Sequence, residues 1–555
     1  MMKNKEARVL RSSLARIQRS HGSTSAGMVW LSLVGLMTTV ACQDNSEVSA
    51  PTFATNSEAL VSGGSFSGGL VADLHEPVKE ACLQEDLLAL RDRAERAALA
   101  FECGDLLFEF QFNAVDGAGA NVGDGLRFSR VPRADKTGVG EWFNHFPARE
   151  TGPNAEACNH CHSTPPTGAG PAAVNVVRDP RRNGKVGQFI QRNTAHLMGS
   201  GAVQLLAEEI TTELKQQRDA IVDQACSNGY ASAELFSKEV SFGRLSAACV
   251  VNKRGKRIVK VNTKGVKGVS DDLIVRPFQW KGANATLRDF NRGAAHNELG
   301  MQPVETTGES IDGDGDGVVN EFGIGDMTAM AVYVAGQARP ITMLELDDLG
   351  LLGELGRGPL SDAERVAIQR GEEVFAEIGC ADCHTPRMLL NNPVFSEPSQ
   401  HPDFRDSVFP AGQDPVAMGV DPLDAVLFDL TQDQPDNVFE VNGEEVRLGN
   451  LQLNENGQAV VELYGDLRRH DMGFGLAENV DETGTGAGVW LTKELWGVGT
   501  SAPYLHDGRA TTVTEAILAH GGEGAPARGG FVGLEKADQQ AVVAFLENLV
   551  LLKVE

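Results

Sequence analysis

The stretch "GCADCHTPRM", residues 379–388, sets two cysteines two residues apart with a histidine directly behind, and "ACNHCHSTPP", residues 157–166, does the same. Three chemistries use such a pattern: a zinc site, a dithiol redox pair, and covalent haem attachment. With nine cysteines and 12 histidines in 555 residues, chance supplies only about 0.003 matches to C-x-x-C-H per chain. Two are present. A zinc site needs four ligands closing a tetrahedron, and a dithiol pair has no use for the trailing histidine. Haem attachment uses all three residues: two thiols one turn apart add to the two vinyl groups of one porphyrin, and the next residue sits under the iron. The reading is two covalent c-type haems, held by Cys158 and Cys161 with His162 as proximal ligand, and by Cys380 and Cys383 with His384.

The N-terminus agrees with that chemistry, because covalent attachment follows export. Lys3, Lys5, Arg8, Arg11, Arg16 and Arg19 face one acid, Glu6, and "MVWLSLVGLMTTVA" then runs apolar to Ala41 before Cys42. This is the pattern of a secretory signal, and the run is too short for a membrane-spanning helix. "TVAC", 39–42, resembles a lipobox, which makes Cys42 the lipidated residue and anchors the chain on the periplasmic side of the envelope; a soluble periplasmic protein is the alternative. The net charge of −27 excludes nucleic acid as a partner, since phosphates are repelled. The partners expected are a redox protein or a quinone-linked electron carrier, and an inner or outer membrane reached through the anchor.

Outside the motifs and Cys42, four cysteines remain in an oxidising compartment, and neighbour pairing predicts Cys82–Cys103 and Cys226–Cys249. "IDGDGDGVVNEFGIGD", 311–326, puts Asp312, Asp314 and Asp316 at positions one, three and five of an EF-hand-like loop, with Gly317 at six. Position twelve is Gly323, so Glu321 or Asp326 completes a structural calcium site.

A faint repeat surrounds the motifs. "WKGANATLRDFNRGAAHNELG", 280–300, and "LHDGRATTVTEAILAHGGEG", 505–524, each give a glycine turn, a capping threonine, an amphipathic helix and a histidine. His296 follows Thr286 by ten residues; His520 follows Thr512 by eight. "HLMGSG", 196–201, echoes "ELWGVG", 494–499. The far-side ligands read from the repeat are His520 for the second haem and His296 for the first, with His196 and Met301 as runners-up. Trp280 is either core or an electron relay. His470, Met472, Tyr504, His506 and Arg509 are candidate pocket residues, Arg509 as a propionate partner. "VVNKRGKRIVKVNTKG", 250–265, reads as a basic hairpin, and 438–465 as two strand pairs.

These stretches resemble the bacterial di-haem oxidoreductase family, labelled thiol oxidoreductases and related to di-haem cytochrome c peroxidases. The matching residues are "FNAVDGAGANVGDGLRF" (112–128), "CNHCH", "FQWKGANATLRDF" (278–290), "GCADCHTP", "YGDLRRHDMGFGLAE" (464–478) and "LWGVGTSAPYLHDGRATTVTEAILAHGGE" (495–523). The family implies calcium between two haem domains. Its peroxidases carry methionine where His520 stands, which implies a bis-histidine, lower-potential second haem here. They also bind the first haem with a histidine soon after C-x-x-C-H, and none occurs between His162 and His196.

The expected fold is mainly α, two tandem cytochrome c-like haem domains with long loops and small β-hairpin insertions. Residues 1–42 are signal, 43–70 a tether, 71–115 a helical arm, 116–340 the first haem domain and 341–555 the second. The function expected is electron transfer between two haems and a substrate or partner. The alternatives are a pure electron carrier with both irons six-coordinate and a peroxide- or dioxygen-activating enzyme.

Overall fold

The helices of the molecule are joined by backbone carbonyls and glycines at their crossings. In a computed structural model, the described residues are 83–113, 115–118, 154–164, 170–171, 175–181, 185–314, 317–405 and 413–554, and all fall within one compact unit. The signal, the tether, Cys42, Cys82, Asp316 and most of the 112–128 stretch lie outside them. The helix Arg93–Glu109 begins at Asp92, whose Oδ1 accepts from Ala94 N at 3.0 Å and Glu95 N at 3.2 Å, satisfying two N–H groups that a helix start leaves unpaired. It crosses the apolar helix Ile324–Ala335 at Gly104, where an added Cβ would lie 2.3 Å from Ala329 O. Phe101 and Phe108 pack against the Tyr333 ring at 5.1 and 5.0 Å.

A second crossing builds the other half. The helix Asp362–Glu377 opens with the capping box expected of it: Glu364 N donates to Ser361 Oγ at 3.3 Å and Ser361 N to Glu364 Oε2 at 2.8 Å. It meets Lys536–Asn548 at Gly371, where a Cβ would stand 1.9 Å from Ala541 O. Gly371→Ala therefore loses stability, although alanine is the better helix former by up to about 1 kcal/mol. Overpacking against a backbone carbonyl costs about 1–3 kcal/mol, so the expected outcome is a lower urea midpoint of the haem-loaded protein, with unchanged far-ultraviolet dichroism. An unaltered or raised midpoint would show that the crossing relaxes freely.

The repeat is present in the backbone. Phe278 bridges Asn284, and Tyr504 bridges Ala510, each across six residues. Within these loops Gln279 and Gly282 have φ of 63° and 62°, and Leu505 and Gly508 have 70° and 68°, the left-handed region at matched positions. Thr286 Oγ1 then accepts from Asp289 N at 3.1 Å, and Thr512 Oγ1 from Glu515 N at 3.2 Å, opening the helices Leu287–Ala294 and Val513–Ala519. The "HLMGSG" and "ELWGVG" turns also correspond: Gly199 and Gly497 have φ of 74° and 80°, and a Cβ on Gly199 would meet the Trp496 ring at 2.6 Å. The two turns thus pack against each other.

The expectation of a mainly α fold needs correction, because the described residues carry both helix and strand, with eight sheets of two or three strands. The widest elements are the antiparallel strands Tyr230–Ser237, Val240–Val251 and Arg257–Val266, which follow the 29-residue helix Ser200–Asn228. Val438–Val441 pairs with Glu444–Arg447, and Ala459–Val461 joins Gln452–Leu453 to Met388–Leu390. One apolar core runs through both halves of the chain: Leu107, Phe278 and Met327 share it with Met388, Phe395, Val426 and Leu463. The C-terminal Leu549–Val550 pairs back to Ile341–Thr342. Cys226 and Cys249, expected as a disulfide, are two thiols in hydrogen-bonding contact, with no bond between them; that contact pushes the Cys226 thiol up. Cys103 is buried in its helix.

Candidate functional site

Each C-x-x-C-H motif makes the same tight turn. Cys161 N donates to Cys158 O at 3.1 Å, and Cys383 N to Cys380 O at 3.3 Å. Each turn forms one wall of a cavity. The first cavity, 210 Å³, is lined by Cys158, Cys161, His162, Phe108, Phe290 and Met330; the second, 510 Å³, by Cys380, Cys383, His384, Tyr504, Ile517 and His520. Burial pushes the Cys158 thiol up to about 12 and Cys380 up to about 11, so neutral sulfur is the form these apolar walls favour.

His384 and His520 face each other across the second cavity, ring centres 6.4 Å apart. Their Nδ1 atoms are taken up by backbone carbonyls, His384 by Tyr464 O at 3.1 Å and His520 by Ala516 O at 2.7 Å. That leaves Nε2 of each ring for a ligand, with the tautomer fixed as in protein metal sites. Burial pushes His384 down to about 4 and His520 down as well, so both lone pairs are free at neutral pH. Two metal–imidazole bonds of about 2.0 Å, plus a ring radius at each end, span about 6.3 Å. The pair would therefore hold a single metal between its two imidazoles, and the cysteines beside it would hold the porphyrin carrying that metal. Tetrahedral zinc fits less well. Among the described residues the one convergent donor cluster is Cys383, Asp466 and His470, which leaves out Cys380 and His384.

The first cavity differs at one place. Eight residues after the capping threonine, where the second copy has His520, the first has Ala294, and Ala294 lines the cavity. His296, expected as the distal ligand, is not among the lining residues; it is buried, with Nδ1 3.2 Å from Met301 O. The helix ends at Ala294 and a wider π-turn, Ala295–Leu299, follows. Two residues further along a helix is a rotation of about 200°, which carries the histidine to the far side. Met301 is buried and also outside the lining. His196, the runner-up, lines both cavities; burial pushes it down to about 4, and its Nδ1 lacks a hydrogen-bond partner within 3.5 Å among the described residues.

Between the cavities stands a shared wall of Asn193, Thr194, Ala195, His196, Trp280, Lys493 and Glu494. Trp280 Nε1 donates to Asn193 O at 2.8 Å. Beside it is a group that no sequence spacing announces, since it comes from four separate segments. Trp490 stacks on His506 at 3.7 Å and 18°. Lys281 Nζ lies 3.7 Å from the centre of the Trp490 ring and donates to Gly486 O, Ala487 O and Val489 O at 2.9–3.1 Å. Arg192 pairs with Glu478, and with Glu482 at 2.7 Å. Burial, with these cations near, pushes His506 down to about 3.

His470 and Met472 line the second cavity as expected. Burial works against the His470 charge, but Asp466 Oδ2 at 2.8 Å from Nε2 and the Cys383 sulfur at 3.9 Å from Nδ1 support it, and the result is up to about 10; Glu523 Oε2 also lies 3.0 Å from Nδ1. Arg509 is outside the lining: its Nη2 pairs with Asp507 at 2.6 Å, and Nη1 donates to Gly475 O at 2.8 Å. In the acidic loop, Asp312 Oδ2 accepts from Gly317 N at 3.0 Å, the buried Glu321 Oε2 from Gln302 N at 2.7 Å, and Asp326 caps its own helix through Gly323 N at 2.6 Å. Asp314 is described and Asp316 is not. Among the described residues these carboxylates form no convergent cluster.

Two cavities, each walled by a C-x-x-C-H turn, and one with opposed imidazoles, offer the residues that could hold two haems. Residues 435–549 match the family described as "Di-haem oxidoreductase, putative peroxidase". Among solved structures, one titled "Crystal structure of a MauG-like protein associated with microbial copper homeostasis" is similar at 14% identity and a TM-score of 0.24, over 54% of this chain and 78% of that one. No curated protein sequence matches the chain. No helix among the described residues is long and apolar enough to cross a membrane.

Proposed function

We propose that the chain is an exported di-haem c-type oxidoreductase whose two haem sites are unequal. Cys158 and Cys161 hold one haem and Cys380 and Cys383 the other, with His162 and His384 as proximal imidazoles. His520 closes the second site. The first is open to a small oxidant such as peroxide, a substrate class in keeping with the family's description. One pair of positions carries this reading: His520 stands opposite His384 in one cavity, while its counterpart Ala294 lines the other. Haem iron supplies one-electron chemistry whose potential the axial ligands set. The chain's own residues divide the labour. Tyr464 O and Ala516 O orient the two imidazoles of the second site, and Trp280 stands between the cavities as the relay. Trp490 suits that role less, because the Lys281 ammonium over its ring opposes a second positive charge there. Export rests on the basic head and apolar run of residues 3–41.

Carbon monoxide titration of the reduced protein tests the proposal. One molecule bound per two haems is the expected result, with half of the visible spectrum left low-spin. A second reading is favoured by the buried His196 in the lining of the first cavity, whose Nδ1 has no hydrogen-bond partner among the described residues. If His196 is the sixth ligand, the protein is a closed electron carrier and the same titration shows none bound.

A further inference from the structure

The most uneven charge in the molecule lies on the hairpin after the long helix. From Phe242 to Ser270 there is no carboxylate, yet there are eight cations, Arg244 to Lys267. All eight are exposed, and none makes an ion pair among the described residues. That is unusual in a chain with 76 acids against 49 bases. Elsewhere cations are drawn into pairs, as Lys238, in the turn between the first two strands of this sheet, is with Glu209 of the long helix at 2.5 Å. Exposed apolar side chains sit on both faces of this ladder: Val250 at 41% and Ile258 at 39% on the face of Lys260, and Val251 at 64%, Val259 at 41% and Val261 at 42% on the face of Arg257. The strand Arg257–Val266 is the free edge of its sheet, so its outer backbone groups have no strand partner among the described residues. Apolar centres within a polar surround are the make-up of a protein interface. A solvated hairpin needs neither the valines nor the missing carboxylates.

The root of this hairpin meets the second cavity. Arg469 N donates to Gly268 O at 2.9 Å, and Arg469 Nη2 to Ser270 Oγ at 2.8 Å. The strand Arg469–Asp471 places His470 in the cavity wall. A Cβ on Gly268 would lie 2.6 Å from Arg468 Cβ, so hairpin and wall are in direct contact. We propose that the hairpin from Arg244 to Lys267 is the docking surface for an acidic one-electron carrier protein that exchanges electrons with the second site. One electron leaves the reduced protein for the carrier's oxidised metal, and no proton or atom moves with it. A second copy of the chain is a poorer occupant, since lysines on an edge strand repel a like edge. An anionic bilayer is poorer too, because the exposed Glu234, Glu239, Asp271 and Asp272 border the same sheet and a flat field of headgroups would meet them along with the lysines.

This proposal rests on the reading of Cys380–His384 as a haem site for its electron step, but not for its binding step. The probe is plastocyanin, an acidic copper carrier, titrated calorimetrically into the full-length haem-loaded protein at about 0.01 M and about 0.3 M ionic strength, where screening lengths differ several-fold. Binding is expected at low salt and lost at high salt. The variant Lys256→Glu, Lys260→Glu, Lys264→Glu and Lys267→Glu should weaken it by about tenfold or more. The same four positions changed to Gln should fall between, with visible spectrum and circular dichroism as wild type in both. Stopped-flow oxidation of the reduced protein by plastocyanin should slow in the same order. No binding by the wild type overturns the proposal, as does binding that the Glu variant leaves unchanged, or wild type that sediments with phosphatidylglycerol vesicles but ignores plastocyanin. Intact binding with no electron transfer and no visible absorbance would instead sink the haem reading and leave the docking surface standing.

Discussion

Replacing His520 with alanine is expected to turn the second site into a second open one. The reduced variant should bind two molecules of carbon monoxide where the wild type binds one, and the remaining low-spin absorbance should become high-spin. The reason is geometric: His520 Nδ1 is fixed to Ala516 O at 2.7 Å and its ring centre lies 6.4 Å from that of His384, so its other nitrogen has one destination. His520→Met goes further, because thioether ligation favours the reduced iron. The potential of that haem should rise by ~0.1 V or more, within the roughly 0.8 V that axial ligands command. The fold should tolerate both changes. His520 is the residue just past the Val513–Ala519 helix, in extended conformation, and the capping box of Thr512 and Glu515 does not involve it. Were His520→Ala to keep an unchanged low-spin spectrum, histidine at this position would be a helix-end residue favoured by the dipole and nothing more.

What the sequence disclosed here was local. The C-x-x-C-H turns, the Ser361–Glu364 box, the Thr286 and Thr512 caps and the 250–265 hairpin each depend on residues within a few positions of one another, and the structure has each. The repeat also survived, because positive φ at Gly282 and Gly508 is a local demand. What failed was register and long-range company. His296 and His520 correspond in residue type, but the two-residue difference in their spacing from the capping threonine rotates the His296 side chain away. Strand content was underestimated because strands of two to four residues, such as Met388–Leu390 and Val489–Leu491, are too short for alternation to register. The Trp490 group was invisible for another reason. Lys281, Arg192, Glu478 and His506 lie 28 to 314 positions apart from one another, and only the crossing of the two repeats brings them together.

The converse substitution carries the inequality of the two sites furthest. Ala294→His restores to the first copy the residue that its own repeat has at the eighth position after the cap. Alanine to histidine in a helix end costs less than about 0.7 kcal/mol in propensity, and Ala294 is half-buried on the wall of a cavity, so the imidazole enters space rather than core. Carbon monoxide binding by the reduced protein should disappear, and the whole visible spectrum should become low-spin. Combined with His520→Ala, the change should restore binding of one molecule per chain, now at the second site, with the spectral contributions of the two haems exchanged. This pair of variants separates the open-site reading from its rival. If His196 already holds the sixth position, wild type binds no carbon monoxide, Ala294→His changes nothing, and the double variant behaves as His520→Ala alone. The neutral state of His196 does not decide between them, because burial lowers it either way; the exchange of sites does.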